Sequence, residues 1–176
     1  TCGARGAQRI NNIIGMALEK LLVKYRVLHI TGRLDYEKFT ERKEKLSYDL
    51  KRNYEVYSVV DPMKIDGMYK EADVVVGRAG ANTVSEIIAI KRPAILIPIP
   101  WTRMDEQMLN ALFAKDFGIA KVLTEDELSE DLLTTTIEET MEDWSKIVSA
   151  VSKKKSPDIG ASSRLVDLVS LAIKTK

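Results

Sequence analysis

Residues 77–86 of this 176-residue chain, Gly-Arg-Ala-Gly-Ala-Asn-Thr-Val-Ser-Glu, have the types and spacing needed to bind an anion. The small residues let the backbone approach a ligand closely, and the free N–H groups at the start of a following helix attract anions. Such an arrangement can hold a diphosphate without a metal ion. We expect Gly80 and Ala81 to lie in the loop, Asn82 to cap the helix, and Thr83 to lie in its first turn.

Glu86 follows Asn82 by four residues, so the two side chains share one side of the predicted helix. A carboxylate beside a phosphate site needs a neutral donor as its partner, and the two hydroxyls of a ribose suit bidentate binding. The alternative is that Glu86 only complements the helix dipole, which is worth about 0.3–1 kcal/mol. Spacing alone favours this alternative, because acidic residues are common near helix starts.

Two further loops contain glycine-rich or polar sequences. Gly3 and Gly6 precede a predicted helix and suit a second anion site, although a Gly-x-x-Gly pattern suits a structural turn equally well. Asp105, Glu106 and Gln107 either contact the hydroxyls of a sugar or form an ordinary solvated helix start. For Asp105 the sequence favours the solvated helix start.

Arg78 and His29 each have a binding and a structural interpretation. Arg78 either supports phosphate charge or forms a salt bridge with a neighbour. His29 lies within an apolar strand, which favours a structural role over that of a catalytic base. One histidine and one cysteine, Cys2, cannot form the usual zinc site, and nothing in the sequence resembles a Ser/His/Asp or Cys/His nucleophile set.

The elements that position these loops alternate between strand and helix. Apolar residues with the i, i+3, i+4 spacing of one helical face predict a first helix, and they are Ile10, Ile13, Ile14, Ala17, Leu18, Leu21 and Leu22. Strands are predicted at residues 26–30, 55–60, 73–76, 94–97 and 120–123. Helices are predicted at residues 35–49, 63–71, 82–90, 106–117 and over most of the remainder, with a break near residues 156–157.

This alternation predicts an α/β fold with a doubly wound parallel sheet and helices on both faces. Ligands of such sheets bind beyond the carboxyl ends of the strands, and all the unusual loops fall on that edge. We therefore expect one ligand-binding domain over residues 1–176. Because the sequence starts at Thr1 with a glycine-rich turn, we also expect a first strand to precede it.

Composition excludes some other classes of function. Lys plus Arg number 27 and Asp plus Glu 26, and this net charge of +1 predicts no nucleic-acid partner. No apolar run approaches the roughly 20 residues that span a bilayer. A single cysteine fits a reducing cytoplasm.

The motifs resemble those of the MurG-type UDP-N-acetylglucosamine glycosyltransferases. Residues 3–11 are similar to the family signature Gly-Gly-Ser-x-Gly-Ala-x-x-x-Asn, with Asn11 at the asparagine, and residues 29–32 resemble its His-Gln-Thr-Gly. Residues 78–86 are close to its most specific motif. Cys2 and Ala4 depart from the signature, and Glu106 stands where family members often carry histidine. The resemblance extends over essentially the whole chain.

This resemblance implies the C-terminal half of a GT-B fold, a Rossmann-like domain that binds UDP-N-acetylglucosamine without a cofactor or bound metal. It places Glu86 on the ribose hydroxyls and residues near Val60 on the uracil. The implied diphosphate contacts are the backbone N–H groups of Gly80, Ala81 and Asn82. Glu106 and Gln107 would contact the N-acetylglucosamine.

For the whole protein, the resemblance implies an inverting hexosyltransferase of peptidoglycan biosynthesis that is inactive as an isolated domain. An N-terminal domain, in the same gene or on a separate chain, would bind the lipid-linked acceptor. The expected location is the cytoplasm, at the inner face of the cell membrane through that domain. Two alternatives are a non-catalytic nucleotide-sugar-binding subunit with a separate partner chain and a UDP-sugar epimerase-like domain. The Gly-Ala-Asn-Thr-Val-Ser-Glu motif argues against the epimerase.

Overall fold

The computed structural model describes residues 7–61 and 63–174, and within them strands alternate with helices as expected. The strands are β1 (Val27–Ile30), β2 (Tyr54–Tyr57), β3 (Val75–Gly77), β4 (Ala94–Leu96) and β5 (Ala120–Val122). The helices are α1 (Gln8–Lys24), α2 (Tyr36–Glu44), α3 (Tyr48–Lys51), α4 (Ile65–Glu71), α5 (Ala81–Ile90), α6 (Glu106–Phe117), α7 (Glu130–Glu142), α8 (Trp144–Val151) and α9 (Ala161–Lys174). Gly3 and Gly6, both expected to bind ligand, lie outside the described residues.

All strand pairs in the described part of the chain are parallel, which confirms the predicted fold class. β1 pairs with β2, with Val27 opposite Tyr54, and this pair forms one sheet. β3, β4 and β5 form a second sheet in that order, with Gly77 opposite Leu96. The strands therefore fall into two groups, where the sequence suggested one continuous sheet.

Helices pack on both faces of the strands. On one face, Ile10, Ile14 and Leu21 of α1 join Leu133 and Ile137 of α7 in an apolar core that also contains residues of β4. On the other face, side chains of α5 and α6 pack against β3 and β4. A third cluster joins α1 to the first sheet, and its buried members are Leu18, Leu22, Phe39 and Tyr54.

The segment predicted as one helix at residues 35–49 is divided into α2 and α3. α2 ends at Glu44, and the backbone N–H of the next residue, Lys45, bonds to Arg42 O, three residues back. Ser47 is extended, with ψ of 156°. The division lets Leu46 and Leu50 pack on the cluster around Phe39. Tertiary packing outweighed helix propensity here, because one straight helix presents a single apolar face.

The C-terminal helix α9 is exposed. Leu165, Leu168 and Leu171 are 62%, 64% and 62% exposed, and the expected break before this helix spans residues 152–160. Within residues 7–61 and 63–174, no helix combines the length and apolar character that crossing a membrane requires.

Candidate functional site

The carboxyl ends of the strands carry the loops that contain the predicted binding residues. β3 leads through Arg78 to the start of α5, and β4 leads to the loop before α6. Parallel pairing of β3 with β4 brings these two loops to one edge, where ligands of parallel sheets bind. A hydrogen bond of 3.1 Å from Asn110 Nδ2 to Ala79 O joins α6 to the first of these loops.

The helix α5 begins after Gly80, its N-cap residue, which has φ −65° and ψ 147°. Within the described part of the chain, no side-chain cap hydrogen bond is made to the first N–H groups of this helix. The expectation that Asn82 caps this helix was therefore wrong: Asn82 is the second residue of the helix and its side chain is exposed. Uncapped N–H groups at a helix start form a ready anion site.

The described residues leave free space next to Gly80. Among residues 7–61 and 63–174, a Cβ atom added at Gly80 would meet no atom within 4 Å, and the φ of Gly80 is one that any residue adopts. Neither packing nor backbone conformation therefore requires glycine at this position. By contrast, a Cβ at Gly15 would lie 3.3 Å from the ring of Phe39. The described residues therefore leave space free above Gly80.

Glu86 lies one turn further along α5 and is half-buried. Burial raises the pKa of its carboxyl above the ordinary value, while the Tyr69 hydroxyl donates a hydrogen bond to the carboxylate and opposes that rise. Tyr69 belongs to α4 and is itself buried. Glu86 is therefore held by a neighbouring helix, a contact that sequence spacing did not indicate.

The loop between β4 and α6 has unusual backbone geometry. Met104 and Asp105 both adopt left-handed conformations, with φ of 56° and 53°, which non-glycine residues rarely occupy outside functional or tightly constrained loops. Gln107 fastens this loop: its Oε1 accepts a 3.1 Å hydrogen bond from Ile99 N. Glu106, the first residue of α6, is exposed, as are Trp101 and Met104.

Arg78 makes protein contacts. Its guanidinium donates to Ile97 O at 3.1 Å and forms an ion pair with Glu125, and both side chains are largely buried. The Glu125 backbone carbonyl in turn accepts a hydrogen bond from Arg9 at the start of α1. The structure thus supports the salt-bridge interpretation of Arg78. Sequence analysis missed Glu125, because 47 residues separate it from Arg78.

Asn11 is also engaged with protein groups. It is fully buried, and its Nδ2 donates to Thr31 O at 2.8 Å and to Asp35 Oδ2 at 2.7 Å. Its Oδ1 faces His29 Nε2 at 3.1 Å. Asn11 thus joins α1 to the carboxyl end of β1, and its assignment as a substrate-binding residue, which the resemblance implies, stays a prediction.

His29 has the structural role that the sequence favoured. An oxygen faces its Nε2, so that nitrogen carries the proton, and Nδ1 accepts from the Tyr54 hydroxyl at 2.9 Å. Burial lowers the pKa of His29 to about 3, so the ring is neutral near pH 7.

Val60 lies in the loop after β2 and is partly exposed.

These features define the class of protein. A parallel doubly wound arrangement with an uncapped helix start at its carboxyl edge is the architecture of nucleotide-binding α/β domains. Among residues 7–61 and 63–174, no three His, Cys, Asp or Glu side chains cluster as a metal site requires.

The chain belongs to the glycosyltransferase family 28 C-terminal domain family, whose model matches residues 1–165. It is 36% identical over 157 residues to the UDP-N-acetylglucosamine–N-acetylmuramyl-(pentapeptide) pyrophosphoryl-undecaprenol N-acetylglucosamine transferase of Bacillus licheniformis, covering 88% of this chain and 41% of that one. For the same transferase of Pediococcus pentosaceus, the identity is 31% over 169 residues, covering 95% and 46%. The chain thus spans about half the length of these relatives.

Two solved structures share the fold of this chain. The chain is similar to Acinetobacter baumannii MurG with a TM-score of 0.80 and 25% identity, covering 97% of this chain and 48% of that one. It also shares its fold with the glycotransferase of kitacinnamycin, with a TM-score of 0.68 and 21% identity over 90% of this chain. The GT-B assignment of the fold is confirmed.

Proposed function

We propose that this chain is the donor-binding domain of an inverting glycosyltransferase that uses UDP-N-acetylglucosamine and a lipid-linked acceptor. The observation that carries the proposal is the start of α5. Its first N–H groups have no side-chain cap within the described residues, Gly80 has free space beside it, and Glu86 lies one turn further along the helix. The relatives are named for transfer of N-acetylglucosamine to a pyrophosphoryl-undecaprenol acceptor.

The diphosphate binds at the start of α5. The backbone N–H groups of Gly80, Ala81 and Asn82 face the phosphate oxygens, and Thr83 lies in the same turn. The positive end of the helix dipole adds to the attraction. Arg78 does not contact the ligand in this proposal but holds the loop that presents these N–H groups.

Glu86 accepts hydrogen bonds from both ribose hydroxyls. The Tyr69 hydroxyl donates to the Glu86 carboxyl group from one side, so the other lone pairs remain for ribose. The uracil lies against the loop that contains Val60. A charge-assisted pair of this kind discriminates ribose from deoxyribose.

The N-acetylglucosamine lies toward the start of α6. The Oε1 atom of Gln107 already accepts from Ile99 N, so Gln107 offers its Nε2 amide as a donor to a sugar hydroxyl. Glu106 is exposed beside it and accepts from another hydroxyl. This division of donor and acceptor gives the domain a preference among UDP-sugars.

In the reaction, the helix start stabilises the negative charge that develops on the departing UDP. The acceptor groove and the catalytic base belong to an N-terminal domain, which also brings the protein to the cytoplasmic face of the membrane. In this division of roles, Glu86, Glu106 and Gln107 bind the donor, and none of them takes the proton of the acceptor hydroxyl.

The test is calorimetry of this chain with UDP, ADP, GDP, UDP-N-acetylglucosamine, UDP-glucose and a dTDP-sugar. We expect UDP to bind more tightly than ADP or GDP, the N-acetylglucosamine donor to be preferred among the sugars, and a chelator to leave every affinity unchanged. A strict requirement for magnesium or manganese, or equal binding of all nucleotides, would overturn the proposal.

A further inference from the structure

Glu125 is a buried acidic residue in the loop between β5 and α7. It opens a run of three acids, of which the next two, Asp126 and Glu127, are exposed. The carboxylate of Glu127 accepts a hydrogen bond of 2.6 Å from Thr124 Oγ1 and so belongs to the local turn. The side chain of Glu125 is 6% exposed and is directed into the protein. A carboxylate buried to this degree needs a partner of opposite charge, because leaving water is costly for an ion.

That partner is Arg78, which directly follows β3. Arg78 Nη2 forms the ion pair with Glu125 Oε1, and Arg78 Nη1 donates to Ile97 O at 3.1 Å, directly after β4. Arg78 lies two residues before Gly80, the N-cap residue of α5. The ion pair therefore holds the short loop that leads into the first turn of α5.

Glu125 also contacts the start of α1. Its backbone carbonyl accepts a hydrogen bond from Arg9 Nη2, and Arg9 is the second residue of α1. α1 begins at the same edge of the strands as α5, since Asn11 bonds to Thr31 O directly after β1. One residue thus joins the start of α1 to the loop before α5, although 116 residues separate it from Arg9 and 47 from Arg78.

The chemistry of these contacts favours positioning over stability. Apolar side chains of similar volume are often as stabilising as a buried ion pair, or more so. An ion pair with further hydrogen bonds fixes the direction of its groups, which apolar packing does not. Anion binding by backbone N–H groups depends on that direction, because a hydrogen bond weakens steeply as the donor turns away from its acceptor.

We propose that Glu125 is a positioning residue for the diphosphate of the donor. Through Arg78 it sets the direction of the N–H groups of residues 80–82, and through Arg9 it holds the start of α1 in place relative to them. The inference rests on the proposed function, in which these N–H groups bind the diphosphate of UDP.

The first test separates positioning from stability. In Arg78→Met with Glu125→Leu, both charges are removed together, so neither is left buried and unpaired. We expect urea titration to give a free energy of unfolding close to that of the wild type. In calorimetry, UDP should bind at least about tenfold more weakly, the scale of one lost charged hydrogen bond. The preference for UDP over 2′-deoxy-UDP should be unchanged, because Glu86 is untouched.

Two further variants accompany this double variant. Lys121→Met with Glu139→Leu is the matched control, because it removes an exposed ion pair of 2.7 Å between β5 and α7 by the same substitutions; it should leave UDP affinity unchanged. Arg9→Met removes the contact with α1 alone. Arg9 is exposed, so its loss leaves no buried charge, and UDP should bind about threefold more weakly.

A measurement without nucleotide tests the positioning itself. Residual dipolar couplings report the directions of N–H bonds, and those of Ala81 and Asn82 should change in the double variant at Arg78 and Glu125. The couplings within α6 should stay as in the wild type, and the control at Lys121 should alter neither set. Unchanged couplings at Ala81 and Asn82 would overturn the inference.

Unchanged UDP affinity in a folded double variant would also overturn the inference, and if that variant does not fold, unchanged affinity in Arg9→Met would do so. Failure of the proposed function gives a different result. Glu86→Gln would then keep the wild-type preference for UDP over 2′-deoxy-UDP, while the N–H directions at Ala81 and Asn82 would still depend on Glu125.

Discussion

Replacing Glu86 with glutamine tests the central contact of the proposed donor site. The substitution keeps the shape of the side chain and an oxygen that can accept from Tyr69, but it removes the charge. A hydrogen bond to a charged group contributes about 1.5–3 kcal/mol. At about 1.4 kcal/mol per factor of ten, UDP should bind about 10- to 150-fold more weakly to Glu86→Gln.

The assay is calorimetry of UDP and 2′-deoxy-UDP with both proteins. The wild type should prefer UDP, and Glu86→Gln should lose most of that preference, since the missing hydroxyl and the missing charge belong to one contact. Glu106→Gln is the matched control: it removes an acid from the start of α6 and should leave UDP affinity unchanged. An unaltered UDP affinity in Glu86→Gln would return Glu86 to the role of helix-dipole complement.

The same variant has a predictable effect on stability. Burial raises the pKa of Glu86, so the folded chain binds this proton more tightly than the unfolded chain. Such a group lowers stability progressively as the pH rises above the ordinary carboxyl pKa. Without ligand, Glu86→Gln should therefore match or exceed the Tm of the wild type at pH 7, and this advantage should vanish near pH 4.

Four further predictions concern other parts of the chain. Gly80→Ala should change the free energy of unfolding by less than about 1 kcal/mol, because a Cβ there meets no atom of the described residues, but it should weaken UDP binding in calorimetry. Arg78→Met should destabilise the fold by about 3–5 kcal/mol in urea titration by leaving Glu125 buried and unpaired, and adding Glu125→Leu should recover most of that loss. Because burial lowers the pKa of His29 to about 3, the free energy of unfolding should fall by roughly 1 kcal/mol per pH unit as the pH decreases from 6.5 toward 3. In His29→Gln this contribution to the pH dependence should be absent, which a series of Tm measurements over that pH range would check. The chain alone should transfer no sugar from UDP-N-acetylglucosamine to a lipid acceptor, and steady transfer would show that the catalytic base lies within it.

Local sequence determined the type and order of the elements. The apolar spacing of α1, the short runs that became the five strands and the bounds of α6 follow from interactions within a few residues, which periodicity and turn chemistry report directly. Glycine and small residues also marked the loop after β3, although it covers residues 78–80, because Gly77 ends β3 and Ala81 begins α5. The cap of α5 was misjudged by two residues, because Asn82 and Gly80 are both acceptable caps and the choice depends on where β3 ends.

Only the tertiary structure decided which groups meet. Arg78 and Glu125, Glu86 and Tyr69, and Asn11 and Asp35 are separated by 17 to 47 residues, and nothing local in either partner indicates the other. Each pair forms because packing brings two elements together, so its geometry depends on the whole arrangement of strands and helices. The division into two sheets has the same origin: each strand is specified by its own residues, but the neighbour it pairs with is specified by the connections and cores around it.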